Sequence, residues 1–149
     1  VVRKDKLFEK ILVAVDGSKQ ASSAAQLAAR LAKEQGGELV VLHVVDRMVI
    51  EELGKFMGHT PKALEEELKE QAWALLRSTE ILLKKYGVPL RLVLEEGIPH
   101  QQILDTAKEE KVDLIVMGRL GKRGVKKVLM GSAVFRVLEF STTPVLVVD

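Results

Sequence analysis

Lys10-Ile11-Leu12-Val13-Ala14-Val15-Asp16, followed by Gly17-Ser18, decides the fold. An apolar run without polar alternation marks a strand buried on both faces, and Asp-Gly-Ser is a turn that stops it. Ser18 stands where a helix cap is wanted. Beyond it Ala21, Ala24, Ala25, Ala28, Leu31 and Ala32 recur at helical spacing until Gly36-Gly37. A face of such small residues predicts a helix packed closely on the sheet. Glu38 to Asp46 then repeats the doubly buried strand pattern as Leu-Val-Val-Leu-His-Val-Val. Such runs point to a parallel sheet covered on both sides.

The same alternation runs on through the chain. Arg47 to Lys62 holds Gly54, Gly58 and Pro61 with weak periodicity, so a loop with one helical turn is expected there. Thr60 as cap and Pro61 at the first helical position open a long helix to Tyr86, with Leu64, Leu68, Leu75, Leu82 and Leu83 on one face. Pro89 to Glu95 reads as an edge or half-exposed strand, because Arg91 alternates with its apolar residues. A helix from His100 to Glu110, a strand from Val112 to Met117, a glycine-punctuated loop from Gly118 to Gly131, a helix from Ser132 to Phe140 and a strand from Pro144 to Val148 complete the series. The expected fold class is α/β: one domain, residues 1–149, with a five-stranded open parallel sheet and helices on both faces. Ligands of such sheets sit beyond the carboxyl ends of the strands, where the strand order reverses.

Composition narrows the function. The chain has 149 residues, 47% of them hydrophobic and 30% charged, with 23 Lys and Arg against 21 Asp and Glu for a formal net charge of +2. That balance argues against a nucleic-acid binder, which would carry a large cationic excess. Apolar runs break well short of the roughly 18 residues of a membrane span, and no charged-then-apolar leader is present, so a cytoplasmic protein is expected. With no cysteine, thiol catalysis and cysteine-ligated metal sites are excluded. Any anion site must therefore be local.

One stretch could form such a site. Gly118-Arg119-Leu120-Gly121 is followed by nine residues, Lys122 to Met130, and then by Gly131-Ser132 at a helix start. Glycines let a backbone approach a phosphate, and the first amides of a helix point at it with the positive end of the dipole. Arg119, Lys122, Arg123, Lys126 and Lys127 add five cations within nine positions. Composition alone also fits a solvated surface loop. Neither the P-loop spacing nor Gly-x-Gly-x-x-Gly after a strand occurs. Asp16 could cap a helix or stabilise its own turn, and His43, between apolar neighbours, reads as a satisfied core histidine.

The spacing Gly-x2-Gly-x9-Gly-Ser, together with Ile11 to Ser18, Leu42 to Asp46, Glu96 to Pro99 and Thr143 to Val148, resembles the universal stress protein family over essentially the whole chain. The resemblance implies a Rossmann-like fold of the adenine nucleotide alpha hydrolase type, and ATP binding, since the glycine element separates members that bind ATP from those that do not. It implies that Asp16 accepts from the ribose hydroxyls with Ala14 beside the nucleotide, and that Val44 contacts adenine through its main chain. Gly118 would lie by the ribose, Gly121 with Arg119 and Lys122 along the phosphates, and Gly131, Ser132, Ala133 and Val134 at the phosphate end, with Mg carried by the phosphates. Many members have a small or polar residue where Arg119 stands and a Thr where Val134 stands, so Val134 offers only its amide. Pairing of the last strand into a homodimer is implied as well.

Other function classes compete with this one. The related adenylating enzymes carry Ser-Gly-Gly-x-Asp-Ser after the first strand, whereas this chain has Asp16-Gly17-Ser18-Lys19-Gln20. Slow ATP hydrolysis stays open as an alternative, although no residue presents itself as the base and no catalytic residue is assigned. A receiver domain would need an acidic cluster after the first strand, where a single Asp stands. A structural dimer with an idle loop is the remaining class.

Overall fold

The computed structural model describes residues 7–58, 61–121 and 130–149. Five strands, β1 (Lys10–Ala14), β2 (Glu38–Asp46), β3 (Leu90–Gly97), β4 (Leu114–Gly118) and β5 (Val145–Val148), form one sheet in the order β3-β2-β1-β4-β5. Every pairing is parallel, with Ile11 opposite both Leu39 and Leu114. The chain winds outward from β1 to β3, then returns past β1 to lay down β4 and β5. The order therefore reverses between β1 and β4, and the crevice expected of such sheets opens at the carboxyl ends of those two strands.

Alternate residues of each strand feed two cores. Ile11, Val13, Val41 and Val116 face helices α1 (Lys19–Gln35) and α3 (Pro61–Leu83), while Leu12, Leu42 and Ile115 face α4 (Pro99–Glu109) and α5 (Ser132–Phe140). Six alanines of α1, from Ala21 to Ala32, are buried, which lets its backbone ride close to β1 and β4. At the amino ends of the strands Lys10 pairs with Glu110 at 3.2 Å, and the Asp113 carboxylate accepts from the amides of Glu9 and Lys10 at 3.0 Å. The amino ends are clasped by these contacts, and the carboxyl ends carry the loops.

Two expectations need correction. Residues Arg47–Met57 form a helix, α2, and not a loop with one helical turn. Asp46 ends β2 and caps this helix at once, its Oδ1 accepting from Met48 N at 2.9 Å, while Ile50 packs with Val45 and Ala72. In α3 the buried positions include Leu64, Ala72, Leu76, Thr79 and Leu83, whereas Leu75 and Leu82 are only half-buried. Thr79 is tolerated there because its Oγ1 donates to Leu75 O at 2.9 Å. The α-helix ends at Leu83, and a 3₁₀ turn, Lys84–Tyr86, carries the chain to Gly87. The proposed Thr60 cap lies outside the described residues.

Candidate functional site at the carboxyl ends of β1 and β4

Beyond β1, Val15 N still donates to Leu42 O at 2.8 Å, and there the pairing of β1 with β2 ends. A strand residue points its N–H and C=O to the same side, and alternate residues share that side. Since the Leu42 carbonyl faces β1, the main chain of Val44 faces the same way, past the last β1 partner. One donor and one acceptor are thus presented to the crevice, a pattern that can read the edge of a planar base. Ala14, Val44, Met130 and Ala133 are half-buried around the same core, giving the crevice an apolar wall.

Asp16 follows on the same side of the sheet. Its Oδ1 accepts from Ser18 N at 2.9 Å, so it does stabilise its own turn. Its Oδ2 faces Gly121, where an added Cβ would sit 2.9 Å away. Ser18 in turn caps α1, its Oγ accepting from Ala21 N at 3.1 Å. His43 Nδ1 lies 2.6 Å from Val15 O, and because a carbonyl can only accept, the ring donates. The histidine is thereby committed to holding the end of β1.

The other wall is the loop after β4. Gly118 is buried, and a Cβ there would meet the Gln20 carbonyl carbon at 2.9 Å and Ala21 N at 3.0 Å. The first turn of α1 therefore packs directly on the Gly118 backbone. Leu120 N donates to Gln20 Oε1 at 2.7 Å, Arg119 N to Val148 O at 2.7 Å, and Gly131 N to Arg119 O at 2.8 Å. Gly131 is the N-cap of α5 and has no side chain to turn back on the helix. Among the described residues no side chain caps the opening turn of α5, and Ser132 is exposed there. That end of α5 is suited to an anion.

Of the residues expected in the site, Ala14, Val44, Ala133 and Val134 pack in one apolar cluster, Gly121 lies against the Asp16 carboxylate, and Gly118, Gly131 and Ser132 stand at the end of β4 and the start of α5. Arg119 stands on the same loop with its guanidinium turned to Asp149, Nε and Nη2 each 3.0 Å from Oδ1. Lys122 lies outside the described residues, as do Arg123, Lys126 and Lys127. Gln20 and Asp149 were not expected in this neighbourhood. Nothing local in their sequence marks them, since each is brought in by the packing of α1 or β5 against β4. A cavity of about 300 Å³ lies apart, toward the amino ends, lined by Leu104, Lys108, Phe140 and Thr143 among others. Among the described residues no group of three acidic, His or Cys side chains could hold a metal ion, and no helix is long and apolar enough to cross a membrane.

Residues 7–149 match the universal stress protein family. A curated relative, universal stress protein MJ0531 of Methanocaldococcus jannaschii, is 35% identical over 148 residues, covering 97% of this chain and 84% of the relative. The chain belongs to the universal stress protein family. The solved structure of MJ0577, from the same organism, superposes with a TM-score of 0.84 at 32% identity, covering 95% of this chain and 96% of that one. Two more distant family structures, each 23% identical with a TM-score of 0.72, are complexes: one with cAMP and one, from Archaeoglobus fulgidus, with dAMP. They cover 96% of this chain and 98% and 99% of their own, so this stress protein shares its fold over its length with nucleotide-bound members.

A charged cluster flanks the site at the end of β3. Lys69 Nζ lies 3.1 Å from Glu65 Oε1 and 3.8 Å from Glu96 Oε2. The hydrogen bond from Lys69 holds the Glu65 carboxyl below the usual value, and the same bond raises Lys69. Burial, then its contact with the Glu65 carboxyl, pushes Glu96 up. Protonated Glu96 therefore adds stability at low pH that is lost as the pH rises through its folded pKa, while Glu65 adds stability above 4.5 that is lost on acidification. Glu96→Gln is expected to keep or raise the melting temperature at pH 7, with the difference from wild type narrowing below about pH 4.5. A lower melting temperature at pH 7 would show that Lys69 and Arg47 need the second carboxylate.

Proposed function

We propose that this universal stress protein is a cytoplasmic ATP-binding regulatory module, one domain over residues 1–149, whose nucleotide-bound state rather than a catalysed reaction is its output. The observation that carries the reading is that the Asp16 carboxylate beyond β1, the Val44 main chain beyond the last β1 partner on β2, and the start of α5 after the β4 loop all stand at the carboxyl end of the sheet. These offer an acceptor for ribose hydroxyls, a donor and acceptor for adenine, and a seat for phosphate. The complexes of related members with cAMP and dAMP support an adenine nucleotide, rather than nucleic acid or a membrane surface, as the ligand class. The cations of the loop, Arg119 and Lys122 among them, favour a triphosphate, with Mg carried on its phosphates. His43 beside the end of β1 is committed to Val15 O, which favours binding over hydrolysis.

Calorimetric titration of nucleotide-stripped protein with Mg-ATP and with AMP tests this. ATP binding clearly tighter than AMP is expected, and no affinity for either would remove the nucleotide from the function. Gamma-phosphate release above background, abolished by Gly131→Asp, would instead reclassify the protein as a slow ATPase.

A homodimer through β5 accompanies the proposal. β5 pairs with β4 on one side only, and Val145, Leu146, Val147 and Val148 are all half-buried. Phe140 lines the cavity against α4, so the other flank of α5, which carries the exposed Phe135 and Leu138, lies toward the β5 edge. An apolar edge strand beside exposed apolar side chains is normally covered by a partner. Light scattering at micromolar concentration is expected to give twice the 16.5 kDa chain mass, falling to the monomer in Leu146→Arg. A monomeric wild type would end the dimer proposal.

A further inference from the structure

β3 is the other edge of the sheet, and its outer side is bare. Leu39 N donates to Pro89 O at 2.9 Å, and Leu39 stands opposite Leu90, so the main-chain groups of residues 89, 91, 93 and 95 face β2. Those of Leu90, Leu92, Leu94 and Glu96 therefore point outward, where no further strand lies among the described residues. The side chains alternate between the two faces. Leu90, Leu92 and Leu94 pack in the core under α3, whereas Arg91 pairs with Glu110 beyond α4 and Val93 joins the core on that side. Glu95 shares the face of Arg91 and Val93, and no described residue forms an ion pair with it. An aromatic side chain stands nearby. Ala72 packs with Val45 of β2 and Lys69 lies 3.8 Å from Glu96 of β3, so one further step around α3 brings Trp73, 38% exposed, toward the outer edge.

We infer that β3 pairs antiparallel with β3 of a second copy of this chain, about a two-fold axis at Val93. The inference stands apart from the nucleotide reading and from the β5 dimer, which leaves this edge free. In the register centred on Val93, Leu92 meets the partner's Leu94 and Leu90 meets the partner's Glu96, outward groups against outward groups, each pair exchanging two main-chain hydrogen bonds. Between them Arg91 comes opposite the partner's Glu95, once on each side of the axis, at non-hydrogen-bonded positions where side chains approach most closely. Moving the axis to Leu92 or Leu94 sets Arg91 against Val93 or Gly97 and loses both ion pairs. Charges on an edge strand ordinarily block pairing, and here they select one register and one partner. The helices fit as well. Both α3 and α4 lie over β2 and β3, so the two copies of either helix stand about two strand spacings apart, roughly 9–10 Å, the distance at which helices pack. Because Arg91, Glu95 and Glu96 must be drawn from water, the contact is weaker than the apolar β5 edge and forms at higher concentration. Used together, the two edges join dimers into tetramers and longer rows.

The full chain carrying Leu146→Arg, which blocks β5, is followed by sedimentation equilibrium from about 10 µM to about 1 mM. The mass is expected to rise from 16.5 kDa toward twice that value, with the Trp73 emission moving to shorter wavelength in step. Arg91→Glu or Glu95→Arg, added singly, sets like charges opposite each other and is expected to weaken the association by about 10- to 100-fold. Mixing the two single-reversal proteins puts a carboxylate opposite a guanidinium at both positions again, so the mixture is expected to recover the association that each has lost. Recovery requires both variants to be folded, which separates loss of the contact from loss of the fold. A mass that stays at 16.5 kDa up to about 1 mM would overturn the inference. Association that ignores both charge reversals would overturn it too, as would a mixture that stays monomeric. A Leu146→Arg protein already dimeric at micromolar concentration, and dissociated by either reversal, would support the β3 contact and end the β5 proposal instead.

Discussion

Gly118→Val is expected to lower the melting temperature by roughly 5–10 °C, the equivalent of about 2–3 kcal/mol in a domain of this size. The cause is steric and local. A Cβ at Gly118 would stand 2.9 Å from the Gln20 carbonyl carbon and 3.0 Å from Ala21 N, both backbone atoms of the first turn of α1. No rotamer change relieves such a clash, so either β4 or the start of α1 must move. That start of α1 carries the Ser18 cap and the Gln20 side chain that holds Leu120 N, so the crevice distorts with it. Gly131→Ala supplies the contrast: its φ is −68° and its nearest Cβ neighbour would be Gly121 N at 3.4 Å, so the melting temperature is expected to stay within about 1 °C of wild type. Thermal unfolding of the two variants side by side is the measurement. A Gly118→Val protein as stable as wild type would show that α1 can slide on the sheet, against the close fit its alanine face implies.

The contrast also explains what was legible in the chain. The spacing of the glycines identifies one loop, yet the structure gives each a different reason. Gly118 admits α1, Gly121 leaves room for the Asp16 carboxylate, and Gly131 is an N-cap of α5 with no side chain of its own to turn back on the helix. Strands β1 and β2 and helix α1 could be read directly, because continuous apolar runs and an alanine stripe each have a single packing solution. Helix α2 was hidden by Gly54, which breaks its period, and by Asp46, which serves as the end of a strand and as a cap at once. In α3 the large leucines at 75 and 82 drew attention from Ala72, Leu76 and Thr79, although a helix lying over β2 buries whatever its inward line holds, small and hydroxyl side chains included. The Arg119–Asp149 pair spans 30 residues and depends on β5 lying next to β4. Such a neighbour follows from the strand order, which no local pattern specifies.

Asp16 is where the bland and the functional readings can be separated by one atom. Its Oδ1 is used by Ser18 N and its Oδ2 is turned to Gly121, so the turn and the proposed ribose contact draw on different oxygens of one carboxylate. Asp16→Asn can keep an oxygen on Ser18 N while replacing the second with an NH₂, which donates where the ribose hydroxyls need an acceptor. The expected result is a melting temperature close to wild type and an ATP affinity lower by about 10- to 100-fold, the cost of losing a charge-assisted hydrogen bond. Asp16→Ala is expected to lose the same affinity and some stability as well, because the turn before α1 goes with it. The contact itself is checked with 2′,3′-dideoxy-ATP, which lacks both hydroxyls: wild type and Asp16→Asn should bind it alike. If Asp16→Asn weakens ATP and the dideoxy nucleotide equally, Asp16 acts through the shape of the loop and not on the sugar. If it weakens neither, the carboxylate serves only its own turn, and the nucleotide reading would stand on Val44 and the α5 amides alone.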